Sequence, residues 1–267
     1  MTGPRLTSLV ADGLPVTVLS PHLDDAVLSC GAFLSYAADR VPVTVVTAFT
    51  EAGPPPHTLS GLRYLHSTGD LNAARLYAAR RAEDREALER LGARWHHLGL
   101  VDGLFRRRPR RPRGTAAGRG GRGGRIHTYR HVYPTYRFHL SANRLSRYDS
   151  GVLAGVIEAV ARDAPGDRTL LLAPMAVGGH VDHLLVRTAA ELSHRWVAYY
   201  SDFPYNESHR ADGAFLLRSG LESTVWDRGL AGKTGLIRSY RTQVDGLFPG
   251  GRVPLRPEVY LLPRGGP

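Results

Sequence analysis

Five short blocks of aliphatic and β-branched residues punctuate the chain, and between most of them apolar positions fall three and four apart. "PVTVLS" (15–20) has the length and composition of a buried strand, and Ala26 to Ala38 sets Val27, Leu28, Leu34 and Ala38 near helical spacing. "PVTVVTAF" (42–49) predicts a second strand. Thr68 to Leu91 predicts one long Ala/Leu/Arg helix, stopped by Gly92, a usual C-terminal glycine. "RWHHLGL" (94–100) reads as a third strand. "YDSGVLAGVIEAVARD" (148–163) then predicts a helix, "TLLLAPMA" (169–176) a fourth strand and Val181 to Arg195 another helix, and "WVAYYSDFPY" (196–205) begins as a fifth strand. Strands alternating with helices imply βαβ units. The expected fold class is therefore α/β, a Rossmann-like, mostly parallel sheet with helices on both faces. No Gly-x-Gly-x-x-Gly follows the first strand, so a dinucleotide site is not expected.

At 267 residues and 42% hydrophobic content the chain can bury a sizeable core, and a single domain over 1–267 is the expectation. Its net charge of +11 is concentrated in one place. Residues 106–148 hold thirteen arginines and no Asp, Glu or Lys, which leaves −2 for the rest. The first part, "RRRPRRPRGTAAGRGGRGGR" (106–125), is rich in Gly and Pro, lacks an apolar pattern and reads as a low-complexity insertion loop. "IHTYRHVYPTYRFHL" (126–140) mixes aromatics, histidines and arginines and is suited to ordering over a pocket. A solvated loop accounts for the arginine run, and nucleic acid is not the expected partner. The single cysteine, Cys30, excludes an internal disulfide framework and is expected to pack as a small hydrophobe. No long apolar window suggests a signal or a membrane span, so a cytoplasmic protein is expected.

Two polar clusters interrupt this scaffold at equivalent places. In "VTVLSPHLDDAVLSCGAFL" (16–34), His22, Asp24 and Asp25 fall between the first strand and its helix. In "LLLAPMAVGGHVDHLLVRTAAEL" (170–192), His180, Asp182 and His183 fall between the fourth strand and its helix. Ligands of parallel α/β sheets bind beyond the carboxyl ends of the strands, so two such turns can converge. A catalytic zinc takes three protein ligands and keeps one position open. His22 and Asp25, three residues apart, can face one ion, with His183 as the third ligand. Asp24 is left free to take a proton from water whose pKa the ion has lowered. His180 can stabilise a developing oxyanion or protonate a leaving amine, with Asp182 orienting an imidazole.

A plainer account covers each residue singly. An Asp at a helix start is more often an N-cap, and a lone histidine there is more often a packed or surface group. That account does not explain why both clusters sit at strand ends. His96, His97, His127, His131 and His139 have metal-compatible side chains but no carboxylate partner in a comparable turn, and are expected to be structural or loop histidines.

"SPHLDDAVLSCG" resembles the Pro-His-Pro-Asp-Asp-Glu signature of the PIG-L/LmbE-like family, and "GGHVDH" resembles its His-x-Asp-His motif. The resemblance continues in "RRAEDREALERLGA" (80–93), "YYSDFPY" (199–205) and the spacing of Lys233 and Gln243, and covers most of the chain outside the insertion. It implies Zn²⁺, or another divalent metal, bound by His22, Asp25 and His183. It further implies Asp24 as general base, and His180 as oxyanion stabiliser or general acid paired with Asp182. Leu23 stands where the motif has proline, Ala26 where it has glutamate, and Gly178 where some mycothiol-type members carry a tyrosine. Arg80 and Asp202 are assigned to substrate contacts. The expected activity is removal of an N-acetyl or other N-acyl group from a small-molecule amino sugar or glycoconjugate. The alternatives are an amidase of a larger thiol or natural-product conjugate, an arginine-rich nucleic-acid binder on an idle scaffold, and a sugar-binding module without turnover. A His180 held protonated by Asp182, with a raised pKa, is also expected.

Overall fold

The computed structural model describes residues 4–108, 131–164, 166 and 168–265. Its strands are β1 (Val16–Ser20), β2 (Val43–Glu51), β3 (Arg94–Val101), β4 (Leu170–Pro174), β5 (Val197–Tyr200), β6 (Glu222–Trp226) and β7 (Glu258–Leu262). They form one sheet in the order β3-β2-β1-β4-β5-β7-β6. The first five in that order pair in parallel, whereas β7 runs antiparallel to both β5 and β6. Starting at β1 the chain builds outward through β2 and β3, then returns to add β4 on the other side. The gap between the carboxyl ends of β1 and β4 is thus the topological switch point, where this architecture opens a crevice.

The helices are α1 (Pro4–Ala11), α2 (Asp25–Ala38), α3 (Leu59–Ser67), α4 (Ala73–Leu91), α5 (Ser150–Asp163), α6 (Val181–Leu192), α7 (Gly213–Ser219), α8 (Leu230–Ile237) and α9 (Arg241–Leu247). Alternation along the strands divides the core in two. Val16 and Val18 of β1, with Leu170 and Leu172 of β4, pack with α1, α2, α4 and α8, while Leu19, Leu171 and Ala173 pack with α5 and α6. The expected layers of helix on both faces are therefore present. Cys30 is buried in the first core, as its apolar surroundings suggested. No helix among the described residues is long and apolar enough to cross a membrane.

Three sequence expectations need correction. The helix expected over Thr68–Leu91 starts late, at Ala73, as α4; residues 68–72 form the turn that separates it from α3, which ends at Ser67. Gly69 has φ +72°, Asp70 accepts the N–H of Asn72, and Asn72 caps α4 by accepting the N–H of Arg75 at 3.1 Å. Local side-chain hydrogen bonding here outcompetes continuation of the helix. The strand expected over 169–176 ends at Pro174, and Ala176 takes a left-handed φ of +60°. The insertion expected over 106–125 begins too early. Arg106 is only 5% exposed and belongs to the buried interior; residues 109–125 of that expectation, and His127, lie outside the described residues. Of the aromatic stretch that follows, Val132 and Tyr133 are buried and Tyr136–Leu140 forms a π-helical turn beside the crevice.

Candidate active site

Two tight turns bring the polar clusters together. After β1, the Ser20 hydroxyl donates to the carbonyl of His22 at 2.7 Å and accepts the N–H of Ala26 at 3.1 Å, bracketing the turn. Leu23 is fully buried, which anchors the turn and leaves its polar neighbours to face the crevice. After β4, Gly178 and Gly179 adopt φ of +82° and +68°. A Cβ on Gly179 would meet Asn143 at 3.0 Å, so the close approach adds to the conformational demand for glycine.

Asp25 is the meeting point. Its Oδ2 accepts the backbone N–H of His22 at 2.8 Å and lies 3.2 Å from His22 Nδ1 and 3.3 Å from His183 Nε2. One donor atom each from His22, Asp25 and His183 falls within 4.8 Å of the others, and all three residues are buried or nearly so. The far nitrogen of each imidazole is also held. Asp202 Oδ1 lies 2.6 Å from His183 Nδ1, and Asp182 Oδ2 lies 3.2 Å from His22 Nε2. A carboxylate can only accept there, so each ring presents its other nitrogen toward Asp25. Metal-binding histidines are held in this manner. Two imidazoles and one carboxylate form a donor set suited to a divalent ion.

Asp182 is fixed in turn by the N–H of Gly103 at 2.8 Å and by Arg106 Nη2. Arg106 also lies 3.1 Å from Asp149, to which Tyr133 donates its hydroxyl proton. Burial alone would raise the Asp182 pKa, but Arg106 and the histidines hold it well below the usual carboxylate range. For Asp25, burial is likewise outweighed by His183 and His22, and its pKa is lowered. His22 and His183 are raised: burial opposes the charge, but Asp182 and Asp25 for His22, and Asp25 and Asp202 for His183, more than offset it.

Asp24 takes the N-cap position of α2 but makes no side-chain capping hydrogen bond, so its carboxylate is not used by the helix. Burial pushes its pKa up to about 6, opposed by Arg80 and reinforced by Asp25. Arg80 Nη2 lies 3.7 Å from Asp24, and Nη1 donates to the Tyr64 hydroxyl at 2.9 Å. Tyr64 donates to Gln243 Oε1 at 3.1 Å. Together they wall a polar pocket of about 380 Å³ that also exposes His22, His180 and His183. Tyr136 and Tyr205 complete it, their rings 6.3 Å from His180 and 5.9 Å from His183.

His180 caps α6, its Nδ1 accepting the N–H of Asp182 at 3.3 Å. The plain capping account thus holds for this residue, and it does not conflict with a second role at Nε2. The expectation of a charged His180 is overturned. Burial, reinforced by His22 and His183 and only partly opposed by Asp182, lowers its pKa to about 4. The reason is geometric: the Asp182 carboxylate serves His22 rather than His180. Asp202 is also displaced from its expected place on substrate. It is 1% exposed beneath His183, and its second oxygen accepts the N–H of Val177 at 2.9 Å. Arg80 does reach the pocket wall.

Sequence reasoning missed Ser20, Asp102, Arg106, Tyr64 and Gln243 as site-building residues. Asp102 lies just past β3, at the same carboxyl edge as the two clusters, 3.6 Å from His22 Nε2; that position was the available signal. His96 and His97 pair with Asp163 and Asp84 at 2.8 and 2.9 Å, outside the clustered turns, consistent with structural histidines.

The PIG-L family, described as GlcNAc-PI de-N-acetylase, matches residues 17–193. A Streptomyces fradiae protein named 2'-N-acetylparomamine deacetylase is 32% identical over 197 residues, covering 70% of this chain; the chain spans 56% of that relative's length. The zinc-inhibited form of teicoplanin deacetylase Orf2 superposes with a TM-score of 0.68 at 23% identity, over 92% of this chain and 97% of that one. The A40926 pseudoaglycone deacetylase Dbv21 gives 0.65 at 24% identity, over 94% and 97%. Those two likenesses concern the fold. Because the family match runs through both histidine-bearing turns, this chain belongs to the PIG-L family.

Proposed function

We propose that this protein is a metal-dependent N-deacetylase that hydrolyses the N-acetyl group of an amino sugar carried on a glycoconjugate or natural product. The observation that carries the reading is the three-residue donor cluster of His22, Asp25 and His183 at the β1/β4 crevice, with the uncapped carboxylate of Asp24 beside it. Family membership and the amino-sugar substrate named for the Streptomyces fradiae relative support it.

His22, Asp25 and His183 would hold Zn²⁺, although the same donor set accepts other divalent ions. When bound, the ion supplies Lewis acidity, polarising the acyl carbonyl and lowering the pKa of water. Asp24 accepts the proton of the water as its oxygen forms the bond to the carbonyl carbon. His180 is neutral, its Nδ1 engaged by the Asp182 N–H, so Nε2 carries the proton and donates a hydrogen bond to the oxygen on which charge develops. Asp24, with a pKa of about 6, then returns its proton to the nitrogen as the C–N bond breaks, releasing the free amine and acetate. Arg80 keeps Asp24 ionised between turnovers and braces Tyr64 in the pocket wall.

The reading is tested by stripping the protein of metal, adding back Zn²⁺ and other divalent ions singly, and following amine release from N-acetylated amino sugars with an amine-reactive fluorophore. Turnover that vanishes on stripping and returns with one ion is expected. Equal turnover in the stripped and restored protein, or none with any sugar, would overturn it.

A further inference from the structure

A second cleft, of about 680 Å³, opens directly off the polar pocket. The two share Tyr64, Ser67, Leu104 and Tyr136, so they form one continuous surface rather than separate sites. Their chemistry differs. The polar pocket presents histidines, Asp24, Arg80 and Gln243, whereas the cleft adds Leu59, Pro134 and Phe138 to the shared tyrosines. Leu59 and Phe138 are 79% and 78% exposed, so large apolar groups from α3 and from the π-helical turn both stand open along this one cleft. Its lining holds no acidic side chain, and its two cations, Arg63 and Arg137, make no ion pair among the described residues.

We propose that this cleft is a subsite for the aglycone of the substrate, and that the aglycone is an aryl group, neutral or anionic. The inference rests on the polar pocket being the deacylation site. A sugar whose acetamido group reaches His22 and His183 has its remaining bulk at the pocket mouth, where Tyr64 and Tyr136 lead into the cleft. Flat aromatic surface matches a wall of Tyr64, Tyr136 and Phe138, which can stack on it, and arginines beside it favour π-faces and anions. An aglycone bearing ammonium groups would meet uncompensated guanidinium charge and is disfavoured. An acetamido sugar alone would leave the cleft empty. The cleft therefore sets specificity beyond the sugar.

The test compares the methyl, hexyl, p-nitrophenyl and 6-aminohexyl glycosides of N-acetylglucosamine, together with the N-octanoyl analogue of the methyl glycoside. KM for the aryl glycoside is expected on the order of tenfold below that of the methyl glycoside, in the range a filled apolar pocket contributes. The 6-aminohexyl compound should gain nothing. In a Leu59→Ser/Phe138→Ser variant the ratio of aryl to methyl KM should approach one. Both positions are exposed, and an unshifted melting temperature verifies the fold. Equal KM for the aryl and methyl compounds would overturn the proposal while leaving the deacetylase reading intact. So would a hexyl gain matching the aryl one, or a gain confined to the N-octanoyl compound, which would assign the cleft to an alkyl chain or to the acyl side. Hydrolysis of none of them would remove the deacetylase reading, and this proposal with it.

Discussion

Replacing Arg80 with methionine should move the acid limb of the rate profile without emptying the metal site. The guanidinium lies 3.7 Å from Asp24, both side chains are buried, and Arg80 is the chief influence opposing the upward push of burial on Asp24. Removing an opposite charge at such range raises a carboxyl pKa by about 1–3 units. The sign follows from the role: Asp24 works as a base only when ionised, so activity falls as pH drops through its pKa, and a higher pKa moves that fall to higher pH. From a starting value of about 6, the limb of the variant should lie between roughly 7 and 9. At pH 7 the ionised fraction would drop from about nine-tenths to between a half and a hundredth, lowering kcat about 2- to 100-fold, with recovery at higher pH. A bound cation lowers both limbs together, so the separation between wild type and variant, at saturating substrate and fixed metal, is the quantity to measure. Superposed limbs, or a loss uniform across pH, would refute the electrostatic role and leave Arg80 only a contact to substrate.

Other outcomes follow from the same geometry. Asp202→Asn should weaken metal binding by about 10- to 100-fold, since Asp202 is what holds His183 in its working tautomer; a chelator competition reads this directly, and unchanged affinity would exclude the role. Arg106→Met should destabilise the fold by about 3–5 kcal/mol in denaturant titrations because it strands the buried Asp182 carboxylate. Removing 109–125, by contrast, should leave the melting temperature near that of the full chain. Because the pKa values of His22 and His183 are raised in the folded chain, metal uptake near neutral pH should release protons, and affinity should fall as pH falls. Calorimetry in buffers of different ionisation enthalpy measures that release. His180→Ala should retain metal and lower kcat by about 10²- to 10³-fold, the loss expected of an oxyanion donor. It should not move a basic limb, since His180, with a pKa of about 4, is already neutral.

The parallel half of the sheet was legible because β1, β2, β4 and β5 are short apolar runs buried along most of their length, such as Val16–Ser20. The antiparallel edge was not. In β6 the outer positions Glu222 and Ser223 are exposed, so the segment carries neither a continuous apolar run nor a helical period, and only pairing with β7 makes it a strand. The clustered residues of the site could be read from sequence since both clusters follow strands at one end of the sheet. Asp182 was legible as a carboxylate that orients an imidazole, but which imidazole it holds was not, nor that Asp202 holds the other. Asp202 and Asp182 are distinguished only by which imidazole nitrogen each meets, and that depends on contacts spanning 19 and 160 residues. Arg106 was hidden by its neighbours, since a buried arginine opening an arginine-rich run has no local mark. The direction of the His180 shift likewise depends on burial and on where the Asp182 carboxylate points, neither of which the sequence "HVDH" carries.

The central claim is that Asp24 is chemically separate from the three residues that hold the ion. The most direct measurement is metal content and turnover, side by side, in Asp24→Asn and His183→Ala. The account predicts that Asp24→Asn keeps about one ion per chain and loses turnover by about 10²- to 10⁴-fold, the usual contribution of a general base, while His183→Ala loses ion and turnover together. An Asp24→Asn protein as empty of metal as His183→Ala would contradict it, and would make Asp24 a ligand rather than the base.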